Sequence, residues 1–283
     1  MLVLPDYLIK KTVGLALEED LGAGDITSAV TIPRYRKGTG HFTANEAGII
    51  CGWPVVEEVF RQLNPTIELE LHCLEGTAAR PGDLLAQVNG PLREILSGER
   101  TALNFLQRLS GIATRTRFFR DLLADFPGVK LADTRKTTPG LRALEKYAVR
   151  VGGGNNHRFN LADSVLIKDN HLTVAGGIQQ AVTSVVRNIP HTMTVEVEVE
   201  TEEQVKEALA AGVDLIMLDN MSPEQITKMV KLINGRALVE ASGNITAENI
   251  KAVAAAGVDI ISIGELTHSV KALDISLEIC SLS

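Results

Sequence analysis

Residues 193–220 read MTVEVEVETEEQVKEALAAGVDLIMLDN, in which two strand-like runs flank one helical stretch. The helical stretch ends in Gly212, just before the second run, as expected where a crossover helix returns to the next parallel strand. Runs of this kind recur after residue 128, at 129–136, 164–171, 193–200, 214–220, 237–244 and 259–268. The alternation of runs and helices predicts an α/β fold with six strands in a parallel sheet.

Polar residues or glycines stand at the carboxyl end of every run. They are Arg135, Lys136, Lys168, Asn170, Glu198, Asp219, Asn220, Ser242, Gly243 and Gly264. A doubly wound sheet would also fit the alternation. A (β/α) barrel fits better, because it gathers the carboxyl ends of its strands on one rim and builds its active site there.

The chain before residue 113 has a different pattern. A helix is predicted over residues 6–21, with Gly22 as its stop, and short alternating segments follow it. A long helix is predicted over residues 91–119, with Arg100 on its apolar stripe, either paired with a local Glu or reaching a neighbouring anion site. We therefore expect an N-terminal domain over 1–113, a catalytic domain over 114–269 and a C-terminal helix over 270–283 that packs back on the N-terminal domain.

The composition is that of an enzyme-sized globular protein, with 283 residues, 45% of them hydrophobic, and a formal net charge of -7. No apolar stretch approaches the roughly 20 residues of a membrane-spanning helix, and the start lacks a signal-peptide pattern, so a cytoplasmic location is expected. Cys51, Cys73 and Cys280 are widely spaced, which favours reduced thiols over disulfides or a zinc site. Acidic charge with 4% aromatic residues disfavours nucleic-acid binding.

Residues 133–171 are basic within this acidic chain, with seven Lys or Arg against four acids. The cations are interleaved with glycines and apolar runs rather than with acids, which predicts a pocket for a small ligand rich in carboxylate or phosphate. Glu198 and Asp219 offer hard oxygen ligands for Mg²⁺, with pairing to a lysine as the alternative. The Ser242-Gly243-Asn244 segment, before a predicted helix, and Gly264 are typical of a barrel phosphate site.

Several motifs together resemble the quinolinate phosphoribosyltransferase family. They are LEEDLGAGDIT, GERTALNFLQRLSGIAT, DTRKTTPGLRALEKYAV, GGGNNHR, LIKDNH, VEVEVE, IMLDNM, EASGNI and ISIGELTHS, and they span nearly the whole chain. The resemblance implies an incomplete (β/α) barrel of seven strands with an N-terminal α/β sandwich domain. It also implies a homodimer whose subunits complete each other's active sites, with a trimer of dimers as a further option.

The resemblance implies transfer of phosphoribose from PRPP to quinolinate with decarboxylation, giving nicotinate mononucleotide, CO₂ and pyrophosphate for NAD biosynthesis. The residues that it assigns to the dicarboxylate are Arg135, His157, Arg158, Lys168 and, from the partner subunit, Arg100. Thr134 is expected among the substrate-binding residues. Those that it assigns to PRPP and its Mg²⁺ are Lys136, Glu198 and Asp219, and those near the 5'-phosphate are Ser242, Gly243, Asn244, Gly264 and His268. A structural role for His268 is nearly as well supported. Lys136 or Lys168 is our hypothesis for the proton donor after CO₂ leaves.

Four other functions remain open. Lys136 or Lys168 at a strand end would suit a Schiff-base aldolase. A molybdenum-associated relative of the same fold is a closer rival, although LIKDNH and IMLDNM follow the quinolinate pattern. Nicotinate phosphoribosyltransferase is a third, but its substrate has one carboxylate and needs fewer cations. A ligand-sensing protein without catalysis is the remote fourth.

Overall fold

The computed structural model describes residues 4–282, so the first three residues and Ser283, which the predicted domains include, lie outside it. Its helices are α1 (Asp6–Leu21), α2 (Ile26–Thr31), α3 (Trp53–Leu63), α4 (Leu92–Leu122), α5 (Arg142–Val151), α6 (Asp169–Ala175), α7 (Ile178–Asn188), α8 (Glu202–Ala211), α9 (Pro223–Ile233), α10 (Ile250–Ala255) and α11 (Glu265–His268). Its strands are β1 (Lys37–Ala44), β2 (Gly48–Ile49), β3 (Glu68–Leu71), β4 (Ala78–Ala79), β5 (Leu84–Pro91), β6 (Lys130–Ala132), β7 (Val165–Ile167), β8 (Val195–Val199), β9 (Leu215–Asp219), β10 (Leu238–Ser242), β11 (Ile260–Ser262) and β12 (Ile275–Leu282).

The chain forms two compact units, each with its own large sheet. One unit comprises residues up to 117, residues 137–153 and residues from 266 onward, and it contains the antiparallel sheet β12-β1-β5-β3. The other comprises residues 118–136 and 154–265, and it contains the parallel sheet β6-β11-β10-β9-β8-β7. Among the residues described, no helix is both long and apolar enough to cross a membrane.

Each of the six predicted runs supplies one strand of the parallel sheet, which confirms the α/β architecture of a partial barrel. In β8, Val195, Val197 and Val199 are buried on one face of the strand, while Glu196 and Glu198 point to the other. The strand therefore carries two carboxylates on its inner face, one above the other.

The seventh strand that the resemblance implies is reduced, in the described residues, to one parallel bridge between Ala132 and Asn155. Asn155 N donates to Leu131 O at 2.7 Å, and Asp133 N donates to Asn155 O at 3.1 Å. The pairing does not extend before Asn155, because Gly152 is the C-cap of α5 and Gly153 turns the chain at a positive φ of 96°.

The predicted C-terminal helix over 270–283 is wrong, because Ile275–Leu282 forms strand β12 and pairs antiparallel with β1. Ile275 and Leu277 are buried, and Leu277 lies opposite Phe42. Their spacing of two is the period of a strand with one covered face, and the apolar residues of this segment do not follow the helical period.

We predicted that residues 137–153 belong to the catalytic domain. In the structure they belong to the unit that contains the antiparallel sheet. Helix α5 explains the difference, because its buried Glu145 accepts from Arg108 Nε of α4 at 2.9 Å. Gly152 continues this packing, since a Cβ there would lie 2.5 Å from the backbone oxygen of Ala113.

The long helix α4 is confirmed, with its end at Leu122, but Arg100 does not lie on the buried stripe. Ile95, Leu103 and Leu106 are buried, whereas Arg100 is exposed. At 100° per residue, position 100 is rotated away from the centre of that stripe. The predicted placement of Arg100 on the apolar stripe is therefore wrong.

Candidate active site

A cavity of about 520 Å³ opens at the carboxyl ends of the parallel strands, entirely within the unit that contains them. The predicted site residues in its wall are Thr134, Arg135, Lys136, His157, Arg158, Lys168, Glu198, Asp219, Ser242, Gly243 and Asn244. The sequence therefore located the rim correctly, as parallel strands with polar carboxyl ends require.

Three predicted site residues are not in this wall. Gly264 follows β11 in the same unit, but it is not among the described residues that line the cavity. Arg100 and His268 belong to the unit with the antiparallel sheet, and both are exposed. Their roles stay predictions.

The cationic part of the wall is formed by Arg135, Lys136 and Arg158. Burial and the neighbouring charge of Arg135 lower the pKa of Arg158. Arg158 Nη1 also donates to Ser164 O at 3.0 Å, which fixes one edge of the guanidinium. Two neighbouring guanidinium groups suit an anion with more than one negative group.

The acidic part of the wall is formed by Glu198 and Asp219, from neighbouring strands β8 and β9. Lys168 Nζ forms an ion pair with Glu198, and the side chains of these two residues are 44% and 15% exposed, respectively. Burial and then the charge of Glu198 raise the pKa of Asp219. The negative charge of Asp219 is therefore unfavourable beside that of Glu198. A cation bound between the two carboxylates would relieve this repulsion.

The ends of β9 and β10 form a tight polar turn. Asn220, Gly243 and Asn244 have φ of 55°, 81° and 52°, and Asn220 Oδ1 accepts from Asn244 Nδ2 at 2.9 Å. A Cβ at Gly243 would lie 2.2 Å from Asn220 Oδ1 and 2.8 Å from Asp219 Oδ1. Both the positive φ and this close approach require glycine at position 243.

The predicted helix after this turn starts later than expected, because α10 begins only at Ile250. Asn249 connects the turn to the start of this helix, since its Oδ1 accepts from Thr246 N and its Nδ2 donates to Asn244 O, each at 2.8 Å. The phosphate contacts predicted for a helix N-terminus would therefore come from the turn itself.

Sequence reasoning missed part of the wall and the layer beneath it. Leu166, Met217 and Ser262 also line the cavity, and the acids Glu196 and Glu240 lie buried on strands β8 and β10. Asn220, which was named as a strand-end residue but given no role, lines the cavity as well. Apart from Asn220, each of these residues stands two positions before a strand-end residue that we had selected. Because side chains in a strand return to the same face every second residue, this spacing was the signal that could have found them.

Comparison with known proteins places the chain in a family. The model of the quinolinate phosphoribosyl transferase N-terminal domain matches residues 25–110, and that of the C-terminal domain matches residues 112–278. The chain belongs to the quinolinate phosphoribosyltransferase family. The resemblance that the motifs indicated is confirmed.

Relatives agree along the whole length of the chain. A probable nicotinate-nucleotide pyrophosphorylase [carboxylating] of Bacillus subtilis (strain 168) is 45% identical over 96% of this chain and 93% of its own. The crystal structure of NadC from Streptococcus pyogenes is similar with a TM-score of 0.95 and 42% identity, covering 100% of this chain and 99% of that one. Human nicotinic acid phosphoribosyltransferase, at 13% identity and a TM-score of 0.64, covers 100% of this chain and 75% of its own and shares the fold alone.

Proposed function

We propose that this chain transfers phosphoribose from PRPP to the ring nitrogen of quinolinate and releases pyrophosphate and CO₂, giving nicotinate mononucleotide for NAD biosynthesis. The observation that carries the proposal is one cavity that combines a cationic wall, a carboxylate pair and a Ser-Gly-Asn turn in a member of this family. Each of these three parts matches one anionic part of the two substrates.

The cationic wall binds the two adjacent carboxylates of quinolinate. Arg135 and Arg158 are suited to bidentate contacts, while Lys136 and Lys168 act as compact charges. Holding the dicarboxylate fixes the pyridine nitrogen for attack on C1 of the ribose, and such alignment is a large part of the rate enhancement in two-substrate reactions.

The carboxylate pair holds PRPP through Mg²⁺. Glu198 and Asp219 supply the hard oxygen ligands that this ion prefers, and the raised pKa of Asp219 marks an excess of negative charge that a cation would relieve. Bound there, the ion would neutralise charge on the pyrophosphate leaving group. The side chains of Lys136 and Lys168 add positive charge to the same wall.

The turn at residues 242–244 binds the 5'-phosphate of PRPP. Glycine at position 243 allows the backbone to approach the ligand closely, and Ser242 and Asn244 offer donors beside it. Gly264 and His268 remain further predictions for this phosphate.

The decarboxylation follows from the first step. Once the ring nitrogen carries the ribose it is cationic, so the bond to the C2 carboxylate breaks with its electron pair left on C2, and a proton then adds there. Lys136 and Lys168 remain the hypothesis for the proton donor. Arg100 from a partner subunit, a homodimer, its possible assembly into larger oligomers and a cytoplasmic location likewise stay predictions.

A Schiff-base lyase is less well supported. Lys168 Nζ is engaged in an ion pair with Glu198, whereas a Schiff-base lysine must have its amine free to attack a carbonyl. The family match does not favour it either.

The proposal is tested by release of labelled CO₂ from quinolinate carrying ¹⁴C in its 2-carboxylate, with PRPP and Mg²⁺. Nicotinate is the matched control substrate and is scored by pyrophosphate release. We expect CO₂ and pyrophosphate in equal amounts with quinolinate, and no comparable turnover with nicotinate. Turnover of nicotinate alone, or of neither substrate, would overturn the proposed function.

A further inference from the structure

Buried polar side chains lie beneath the cavity rim, two residues earlier on the same strands and on the same strand face. Glu196 stands two residues before Glu198 on β8, and Glu240 stands two residues before Ser242 on β10. Their relative exposures are 5% and 1%. Two buried carboxylates are costly unless the protein gives them partners, so their place in the fold needs an explanation.

His157 is the side chain that both acids share. Its Nε2 lies 3.2 Å from Glu196 Oε2 and 3.6 Å from Glu240 Oε1. Its Nδ1 accepts a hydrogen bond from the backbone N–H of Arg158 at 2.8 Å. Because a ring nitrogen that accepts a hydrogen bond carries no hydrogen, the hydrogen of this imidazole lies on Nε2 and points to the acids.

Both nitrogens of His157 are therefore occupied within the protein, although the ring lines the cavity. In this tautomer the ring is neutral and contributes no charge to an anionic ligand. Instead, the His157 ring connects the buried acids to the backbone of Arg158, and the guanidinium of Arg158 forms part of the cavity wall.

The segment that carries His157 is held at further points. Asp133, fully buried, accepts from the backbone N–H of His157 at 2.9 Å and from Asn156 Nδ2 at 2.6 Å. The glycine-rich stretch before it makes little regular sheet, so side chains replace the strand pairing that would normally fix a backbone at this depth.

We propose that Glu196 and Glu240 are positioning residues for the dicarboxylate substrate. Glu196 accepts from the Nε2–H of His157, Glu240 adds negative charge 3.6 Å from the same nitrogen, and together they place Arg158. Neither acid touches the substrate itself. Their effect is on the binding of quinolinate rather than of PRPP, because the backbone that they fix carries a residue of the cationic wall. This inference rests on the proposed function for the identity of the substrate.

The first test is direct binding of quinolinate to the full-length protein, measured by calorimetry without PRPP. We expect Glu240→Gln and Glu196→Gln to weaken quinolinate binding about tenfold each, because each removes a negative charge that faces the Nε2–H of His157, while KM for PRPP changes less than twofold. Glu203→Gln, an exposed acid on α8, is the matched control and should bind as the wild type does. Wild-type affinity in both inner variants, or equal losses for the two substrates, would overturn the proposal.

A pair of histidine variants separates positioning from substrate contact. His157→Gln places an amide N–H near the former Nε2, whereas His157→Asn places its polar atoms near the former Nδ1. If the contact with the acids is what matters, His157→Gln retains more quinolinate affinity than His157→Asn. Equal losses in both variants would show a direct contact between the ring and the substrate.

The last measurement does not depend on substrate. Long-range ¹H–¹⁵N correlation spectra of the ring nitrogens report the tautomer, and we expect Nε2–H for His157, identified by the loss of its signals in His157→Gln. A ring protonated on Nδ1, or a stoichiometric divalent ion that is present in the wild type and absent in Glu240→Gln, would overturn the proposal. Wild-type protein that releases no CO₂ but shows the Nε2–H tautomer would instead reject only the proposed function.

Discussion

Strands β8, β9 and β10 carry two pairs of acids with the same chemistry and different surroundings. The outer pair, Glu198 and Asp219, faces the cavity and has Lys168 beside it. The inner pair, Glu196 and Glu240, is buried beneath and shares His157. The outer pair keeps its oxygens accessible to a ligand, whereas the inner pair is engaged within the protein.

The difference shows that depth along a strand decides what a carboxylate does. A carboxylate at the rim is partly solvated and can exchange a lysine partner for a metal ion or a substrate. A carboxylate two residues earlier on the strand is buried, and an unpaired charge there is costly. It therefore keeps its partner within the protein and does not exchange it for a ligand. Substitutions in the outer pair should therefore change activity, and those in the inner pair should change stability and positioning.

The largest effect is expected from Asp219→Asn in the outer pair. We expect turnover to fall by a factor of about 10²–10³, the loss typical of removing one charged group that stabilises a transition state. The melting temperature should stay the same or rise, because burial and Glu198 already disfavour the charge of Asp219. Steady-state kinetics and thermal unfolding of the same preparation test both parts, and a loss of activity accompanied by an equal loss of folded protein would contradict the comparison.

Gly243→Ala should have the next largest effect, because it alters the rim without changing any charge. Its Cβ would lie 2.2 Å from Asn220 Oδ1, and the residue has a positive φ of 81°. We expect the KM for PRPP to rise at least about tenfold and the free energy of unfolding to fall by about 1–3 kcal/mol, as for strain at a special backbone position. Gly235→Ala, at a positive φ with no atom within 4 Å of the added Cβ, is the control for backbone strain alone and should leave the KM for PRPP unchanged.

The rim was predictable from the sequence because it depends on local patterns. Each strand end combines a run of apolar residues with a polar residue directly after it, and parallel strands bring those ends together. The inner layer has the same periodicity, but a Glu within a run of valines gives no sign of its partner. The contact of Glu196 with His157 joins residues far apart in sequence, and only the folded sheet brings them together.

The C-terminal segment was misread for a related reason. Its apolar residues alternate over only a few positions, and a short run of this kind can also be assigned to a helix. What decides its conformation is the free edge of β1, which Ile275–Leu282 covers. Because β1 lies more than 200 residues earlier in the chain, no short stretch of sequence contains both strands of this pair.

A smaller effect, on stability alone, is expected from the pH dependence of Glu240→Gln. Burial and then the charge of Glu196 raise the pKa of Glu240 to about 7. A carboxyl group whose pKa is raised by folding stabilises the protein fully below its unfolded pKa, and this contribution is lost as the pH rises through 7. Relative to Glu240→Gln, the wild type should therefore lose stability between about pH 4.5 and pH 7, by an amount on the order of 1–3 kcal/mol.

Urea unfolding of the wild type and of Glu240→Gln at pH 5 and pH 8 measures this difference. Glu203→Gln again serves as the control and should follow the wild type at both values. A difference between wild type and Glu240→Gln that does not change with pH would mean that the inner pair keeps one protonation state across this range.

The smallest effect is expected from Glu202→Gln, an acid outside both pairs that forms ion pairs with two lysines. Lys206 and Lys228 hold its pKa down to about 2, through hydrogen bonds and charge. A lowered pKa stabilises the protein above the unfolded value and is lost as the pH falls toward 2, so any contribution should be present at pH 7. Water and salt nevertheless screen such a pair strongly at the surface, and we expect no measurable change in melting temperature or turnover at pH 7. A clear loss of stability in Glu202→Gln, removed by added salt, would show that the number of partners rather than burial decides the importance of a carboxylate in this fold.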